Sequence, residues 1–199
     1  MDRPDRITPT DTQKKWTRSQ MEDLDACDGD WIVITGASRA RRYALADTVE
    51  DVATHDGMRI EVFCVPPKGR VRMVSHRTMA AEYHWHDTRA DLDATAPGTT
   101  TGRMPGKTLT YNDHLSLSRM SVSEHDILMV QCDDDDLRTE LADAFASALD
   151  RRGQKTLLIE APKDFSLHEL SQSEATIQAM EKFGWAQTSS PSDSPSEAA

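Results

Sequence analysis

The sequence is poor in cysteine, in aromatic residues and in long apolar runs. Its three cysteines, Cys27, Cys64 and Cys132, are far apart and form no C-x-x-C pair. Neither a disulfide framework nor a thiolate zinc site is therefore indicated, and the thiols are expected to be reduced. No apolar run approaches the roughly 18 residues of a membrane span, and the N-terminus lacks a signal-peptide core. These absences predict a cytoplasmic protein.

Lysine is also scarce, and acidic residues dominate the charge. Asp and Glu number 34 against 23 Lys and Arg, which gives a formal net charge of −11, and Arg outnumbers Lys 16 to 7. This composition resembles that of proteins from salt-adapted archaea and their viruses, and it predicts a protein whose folding needs salt to screen its carboxylates. The negative charge also argues against non-specific binding to duplex DNA.

Helical and strand patterns alternate between two polar ends. Residues 1–13 and 188–199 have the composition of disordered segments, so a single domain is expected over residues 14–187. The alternation predicts an α/β fold of three layers, with a mostly parallel sheet and helices on both of its faces.

The first half of the domain holds one strand–helix–strand unit. The apolar run 31–35 predicts a buried strand, a helix is expected from Ser38 to just before Asp56, and residues 59–65 predict a second strand. Short connections favour a parallel crossover between the two strands. Residues 68–125 give no clear pattern.

A second unit of the same kind follows. It comprises a strand at 126–132, a helix with apolar positions from Leu137 to Leu149, and a strand at 155–160. One further helix is expected near residues 167–183 and a short one near 17–26.

The turn after the first strand carries the clearest functional signal. A buried strand, a glycine turn and a helix start present free backbone N–H groups, which attract anions. Residues 36–43 (GASRARRY) resemble the P-loop, whose pattern G-x-x-x-x-G-K-[ST] wraps phosphates. The resemblance implies a nucleotide or phosphate ligand held by Gly36, Ala37, Ser38, Arg39, Arg41 and Arg42.

This P-loop pattern is eroded. Arg41 stands at the second glycine, Arg42 retains only the charge of the lysine, and Tyr43 replaces the hydroxyl that binds magnesium. Asp133 and Asp134 follow the strand at 126–132, where P-loop ATPases place an acidic metal-binding segment. The resemblance therefore implies a nucleotide with Mg²⁺ near these two aspartates, and weak or absent hydrolysis.

Two other functions remain open on the sequence. One is a non-catalytic interaction or accessory protein of a virus or plasmid, which uses an α/β core to present surfaces to an unidentified protein partner. The other is a nucleotide- or nucleoside-processing enzyme on another doubly wound fold.

Overall fold

A computed structural model describes residues 4–36, 38–75, 85–87, 108–110, 115–122 and 126–187. These residues form an α/β protein that divides into two compact units, one of residues 1–73 with 100–164 and one of residues 74–99 with 165–199. The single domain expected over residues 14–187 stays a prediction. The expected tail at 188–199 lies outside the described residues.

Helices and strands alternate along much of the described chain. The helices are α1 (Asp11–Asp23), α2 (Arg39–His55), α3 (Asp135–Arg152), α4 (Leu167–Gln172) and α5 (Glu174–Phe183). The strands are β1 (Trp31–Thr35), β2 (Glu61–Val65), β3 (Arg70–Val74), β4 (Trp85–Asp87), β5 (Thr108–Thr110), β6 (Ser116–Met120), β7 (Ile127–Gln131), β8 (Leu157–Ala161) and β9 (Trp185–Gln187).

Two sheets hold most of these strands. The first has the order β2-β1-β6-β5, with β1 parallel to β2 and β6 antiparallel to both β1 and β5. The second has the order β3-β7-β8, with β7 parallel to β8. Parallel pairing is thus confirmed in both strand–helix–strand units. One mostly parallel sheet is not found, because the strands divide between two sheets and β6 joins β1 in the opposite direction.

Strand β1 is covered on both faces, as its continuous apolar run predicts. Trp31 and Val33 pack into a cluster with Phe63 of β2 and Phe145 of α3, and the Phe63 and Phe145 rings lie 4.1 Å apart between centroids. The alternate side chains of β1, at positions 32 and 34, pack against α1 and α2. The first sheet therefore lies between two apolar clusters.

Helix α1 begins earlier than the sequence predicts. Its first residue is Asp11 rather than Thr17, because Thr10 and Gln13 form a capping box at its N-terminus. Before the helix, the Ile7 N–H donates to Asp47 Oδ2 at 2.8 Å. The expected disordered segment 1–13 thus includes a helix start and a contact to α2.

In the second unit, β4 pairs antiparallel with β9. The single helix expected near residues 167–183 is two helices, because Ser173 adopts an extended conformation (φ −70°, ψ 135°) and caps the N-terminus of α5. Its hydroxyl accepts the Thr176 N–H at 3.2 Å. Among the residues described in either unit, no helix is long and apolar enough to cross a membrane.

An exposed ion pair joins Asp28, in the turn before β1, to Arg59. Its effect on the pKa of Asp28 can be measured. Arg59 donates to the Asp28 carboxylate from its guanidinium at 2.8 Å and from its backbone N–H at 2.6 Å, which lowers the pKa of Asp28 to about 2. Because the folded-state pKa is depressed, the pair stabilises the protein at neutral pH, and this contribution is lost as the pH falls through about 2.

We expect Arg59→Ala to raise the pKa of Asp28 towards the ordinary value of about 3.9, as measured by NMR titration of the carboxyl carbon. Arg18→Ala is the matched control, because Arg18 pairs with Asp56 instead. An Asp28 that already titrates near about 3.9 in the unaltered protein would contradict the assigned pair.

Candidate functional site

A cleft of about 610 Å³ opens in the first unit at the carboxyl ends of β1 and β2. Gly36 follows β1 at its edge, and Pro66 follows β2. The remaining walls come from the start of β3 and from the first sheet. The cleft is lined by Val33, Thr35, Gly36, Pro66, Pro67, Gly69, Arg70, Val71, Met73, Thr108, Ser118, Arg119 and Met120.

The cleft combines an apolar surface with a few polar groups. Val33, Met73 and Met120 supply apolar area, while the Thr108 and Ser118 hydroxyls lie 2.9 Å apart across β5 and β6. Sites for small organic ligands commonly have this composition, in which apolar walls surround a few polar groups that set the orientation.

Arg70 is the exposed cation of this lining. It forms no ion pair with any residue that the structure describes, whereas Glu50, Asp51 and Asp56 on and after α2 are paired with cations. In a chain with a net charge of −11, a guanidinium with no ion partner among the described residues, in a cleft that also contains two hydroxyls, favours an anion.

Of the residues predicted in the eroded P-loop, Gly36 lines this cleft. Its φ of 146° is a conformation that side-chain-bearing residues rarely adopt, which explains a glycine at this turn. Ser38 caps α2 by accepting the Arg41 N–H at 3.4 Å. Ala37 lies outside the described residues.

Two of the three arginines that follow are exposed and point elsewhere. Arg39 lies 5.7 Å from the centroid of the Tyr43 ring. Arg41 lines a different cavity, between α1 and α2, together with Trp16. Neither belongs to the lining of the cleft.

Arg42, at the position of the P-loop lysine, is folded inwards. Its side chain is 4% exposed, and its guanidinium donates to the carbonyl of Gly36. Burial lowers the pKa of Arg42 from its ordinary value. Arg42 therefore stabilises the turn through its hydrogen bond to the Gly36 carbonyl, and it does not line the cleft.

Asp133 and Asp134 occupy the carboxyl end of β7, in the second sheet. The Asp133 carboxylate accepts the Lys163 N–H at 3.0 Å, and Asp134 caps α3 by accepting the Leu137 N–H at 3.1 Å. Neither lines the cleft. Among the described residues, no group of three or more His, Cys, Asp or Glu is placed to hold a metal ion. The assignment of these two aspartates as metal ligands stays a prediction.

Sequence reasoning missed the cleft residues Arg70, Thr108 and Ser118. They belong to the stretch 68–125, which gives no clear periodicity. One available signal was position, since Arg70 closely follows the end of a predicted strand, and ligands of α/β sheets bind beyond the carboxyl ends of strands.

Comparisons with protein-family models, with curated proteins and with solved structures found no match to this chain.

Proposed function

We propose that this protein binds a phosphate-bearing ligand, of the size of a nucleotide, in the cleft at the carboxyl ends of β1 and β2. The observation that carries the proposal is Arg70, an exposed cation without an ion partner among the described residues, in a cleft of about 610 Å³. That volume lies within the roughly 300–1,000 Å³ usual for small-molecule sites. The location also agrees with the general rule for open α/β sheets.

A P-loop-like, three-layer arrangement is part of this proposal. Its support is the parallel pairing in β1-α2-β2 and in β7-α3-β8, together with the glycine turn and capped helix after β1. The acidic composition supports a setting in the cytoplasm of a salt-adapted cell, or of one infected by its virus.

The ligand is bound without magnesium and without turnover. Phosphoryl transfer relies on a metal ion that bridges the phosphates and on a cation that follows the terminal oxygens. Here Arg42 is buried against Gly36, while Asp133 and Asp134 already accept backbone N–H groups. None of the three lines the cleft, so these residues do not assemble the chemistry for hydrolysis there.

A thermal-shift series in molar KCl tests this function. Mono-, di- and triphosphates of adenosine and guanosine, and inorganic phosphate, are added with Mg²⁺ or with EDTA. A ligand at about 100 times its Kd adds about 2.7 kcal/mol to the stability of the native state. We expect at least one phosphate compound to raise the melting temperature equally under both conditions, with hydrolysis at the level of a buffer blank. Stabilisation that needs Mg²⁺, with turnover abolished by Asp133→Ala, would contradict the metal-free account.

A second candidate function rests on a separate surface. Trp16 is 43% exposed and lines a cavity of about 470 Å³ between α1 and α2. A partly exposed tryptophan beside such a groove favours the interaction-protein alternative. If no phosphate compound shifts the melting temperature, this alternative becomes the better one.

A further inference from the structure

The cavity of about 470 Å³ beside Trp16 lies between one face of α1 and one face of α2. Its α2 wall follows the spacing i, i+3, i+4, i+7, and its α1 wall follows i, i+3, i+4, which places the side chains of each wall on a single helix face. All of its described lining residues belong to the first unit. They are Gln13, Trp16, Thr17, Arg41, Ala44, Leu45, Thr48 and Leu115.

The charge of this lining is positive, although the chain as a whole is acidic. The chain has 34 Asp and Glu and a net charge of −11, yet the one charged side chain among the described lining residues is that of Arg41, which is exposed. An arginine guanidinium presents paired N–H donors that match the oxygens of a carboxylate. A single cation in the wall favours a ligand with one negative charge.

Thr17 supplies an unsatisfied hydrogen-bond donor in the same wall. The residue is 1% exposed, and its hydroxyl has no hydrogen-bond partner among the described residues. Thr48 also lines the cavity, but its hydroxyl donates to the Ala44 carbonyl at 2.8 Å. A buried hydroxyl without a partner is destabilising, so an acceptor bound in the cavity satisfies Thr17 and leaves Thr48 as it is.

The remaining walls of the cavity are apolar. Ala44, Leu45 and Leu115 contribute aliphatic surface, and Trp16 is 43% exposed. Covering these side chains removes apolar area from water, which favours a ligand with a hydrocarbon body. The volume of about 470 Å³ lies within the roughly 300–1,000 Å³ usual for small-molecule sites.

We propose that this cavity binds an apolar organic carboxylate, whose hydrocarbon body packs against Trp16 and whose oxygens accept hydrogen bonds from Arg41 and Thr17. The cavity shares no described lining residue with the cleft at β1 and β2. The proposal therefore does not rest on the phosphate-binding function. It assigns a small-molecule occupant to the surface that the interaction-protein alternative would use.

The test is NMR titration of the full-length protein in molar KCl, read at the Trp16 indole N–H, which is assigned with Trp16→Phe. Three probes separate hydrocarbon body from charge: phenylbutyrate has both, phenylbutanol lacks the charge and acetate lacks the body. We expect phenylbutyrate to shift this resonance saturably, phenylbutanol to bind at least about tenfold more weakly, and acetate to leave the resonance unchanged. Equal affinities for phenylbutyrate and phenylbutanol would contradict an anion site.

Matched threonine variants test the polar contact. Thr17→Val removes the unsatisfied hydroxyl, whereas Thr48→Val removes one that already has a partner. We expect the Kd of phenylbutyrate to rise about tenfold or more in Thr17→Val and to change by less than about twofold in Thr48→Val. The unbound Thr17→Val protein should melt no lower than the unaltered protein, because valine leaves no buried donor unsatisfied.

Arg41→Gln keeps the proposal testable if Thr17→Val does not fold, because Arg41 is exposed. This variant should raise the Kd of phenylbutyrate about 10- to 100-fold, whereas Arg39→Gln, which removes an exposed charge outside the lining, should leave the Kd unchanged. The same Kd in both variants would overturn the proposal. A Trp16 resonance that responds to protein concentration and not to phenylbutyrate would also overturn it, because a second copy of the chain would then occupy the cavity.

Discussion

Replacing Phe145 by alanine is expected to lower the free energy of unfolding by about 3–5 kcal/mol. The Phe145 side chain is fully buried on α3, and its ring lies 4.1 Å from Phe63 of β2 and 5.5 Å from Trp31 of β1, measured between centroids. Its removal leaves a cavity where α3 packs against the first sheet. Since the stability of small domains is about 5–15 kcal/mol, this is a large fraction of the total.

Urea unfolding followed by circular dichroism measures this loss. Ile7→Ala is the control for removing a large apolar side chain, because Ile7 is 51% exposed and should change the free energy by no more than about 0.5 kcal/mol. Equal losses in the two variants would contradict the placement of Phe145 in the main core.

The sequence predicted the helices and strands whose buried residues follow a regular apolar spacing along the chain. The run 31–35 predicted a doubly covered strand, and the Leu137–Leu149 stripe predicted α3, because each pattern reports which residues face an apolar surface. Parallel pairing within each strand–helix–strand unit followed from the short connections.

Strand β6 was missed because its burial depends on distant partners. Arg119 is 5% exposed, donates to the Asp25 carbonyl and lies 4.0 Å from the carboxylate of Asp30. A sequence such as SLSRM, with an arginine in it, gives no sign of a buried strand until that pairing is known. The division into two sheets depends on β6, so it could not be predicted either.

The candidate site was predicted only at Gly36. The P-loop pattern located a glycine turn at the mouth of the cleft, but a pattern does not show where a long side chain points. Arg42 turns inwards to the Gly36 carbonyl, and Arg41 faces the α1–α2 cavity. Arg70, which lines the cleft, is the first residue of β3 and follows the connection that joins the two sheets, where no motif marks it.

Arg70→Ala is expected to weaken phosphate-ligand binding by about 10- to 100-fold. Hydrogen bonds to charged groups contribute about 1.5–3 kcal/mol, and each 1.4 kcal/mol corresponds to tenfold in affinity. Arg70 is exposed, so its loss should hardly change the stability of the unbound protein. The effect should therefore be confined to the ligand complex.

Arg72→Ala is the matched control for charge. Arg72 lies two residues further along the same strand and does not line the cleft. Its replacement by alanine removes the same charge as Arg70→Ala. General attraction between the protein and an anion would be reduced equally by the two substitutions. A specific contact would be lost only with Arg70.

The most direct measurement is isothermal titration calorimetry, in molar KCl, of the phosphate compound that gives the largest thermal shift. The unaltered protein, Arg70→Ala and Arg72→Ala are titrated with that compound in the presence of EDTA. The account predicts binding to the unaltered protein and to Arg72→Ala with similar Kd, and a Kd about 10- to 100-fold higher for Arg70→Ala. The same Kd for all three proteins would place the ligand outside the cleft and contradict the central claim.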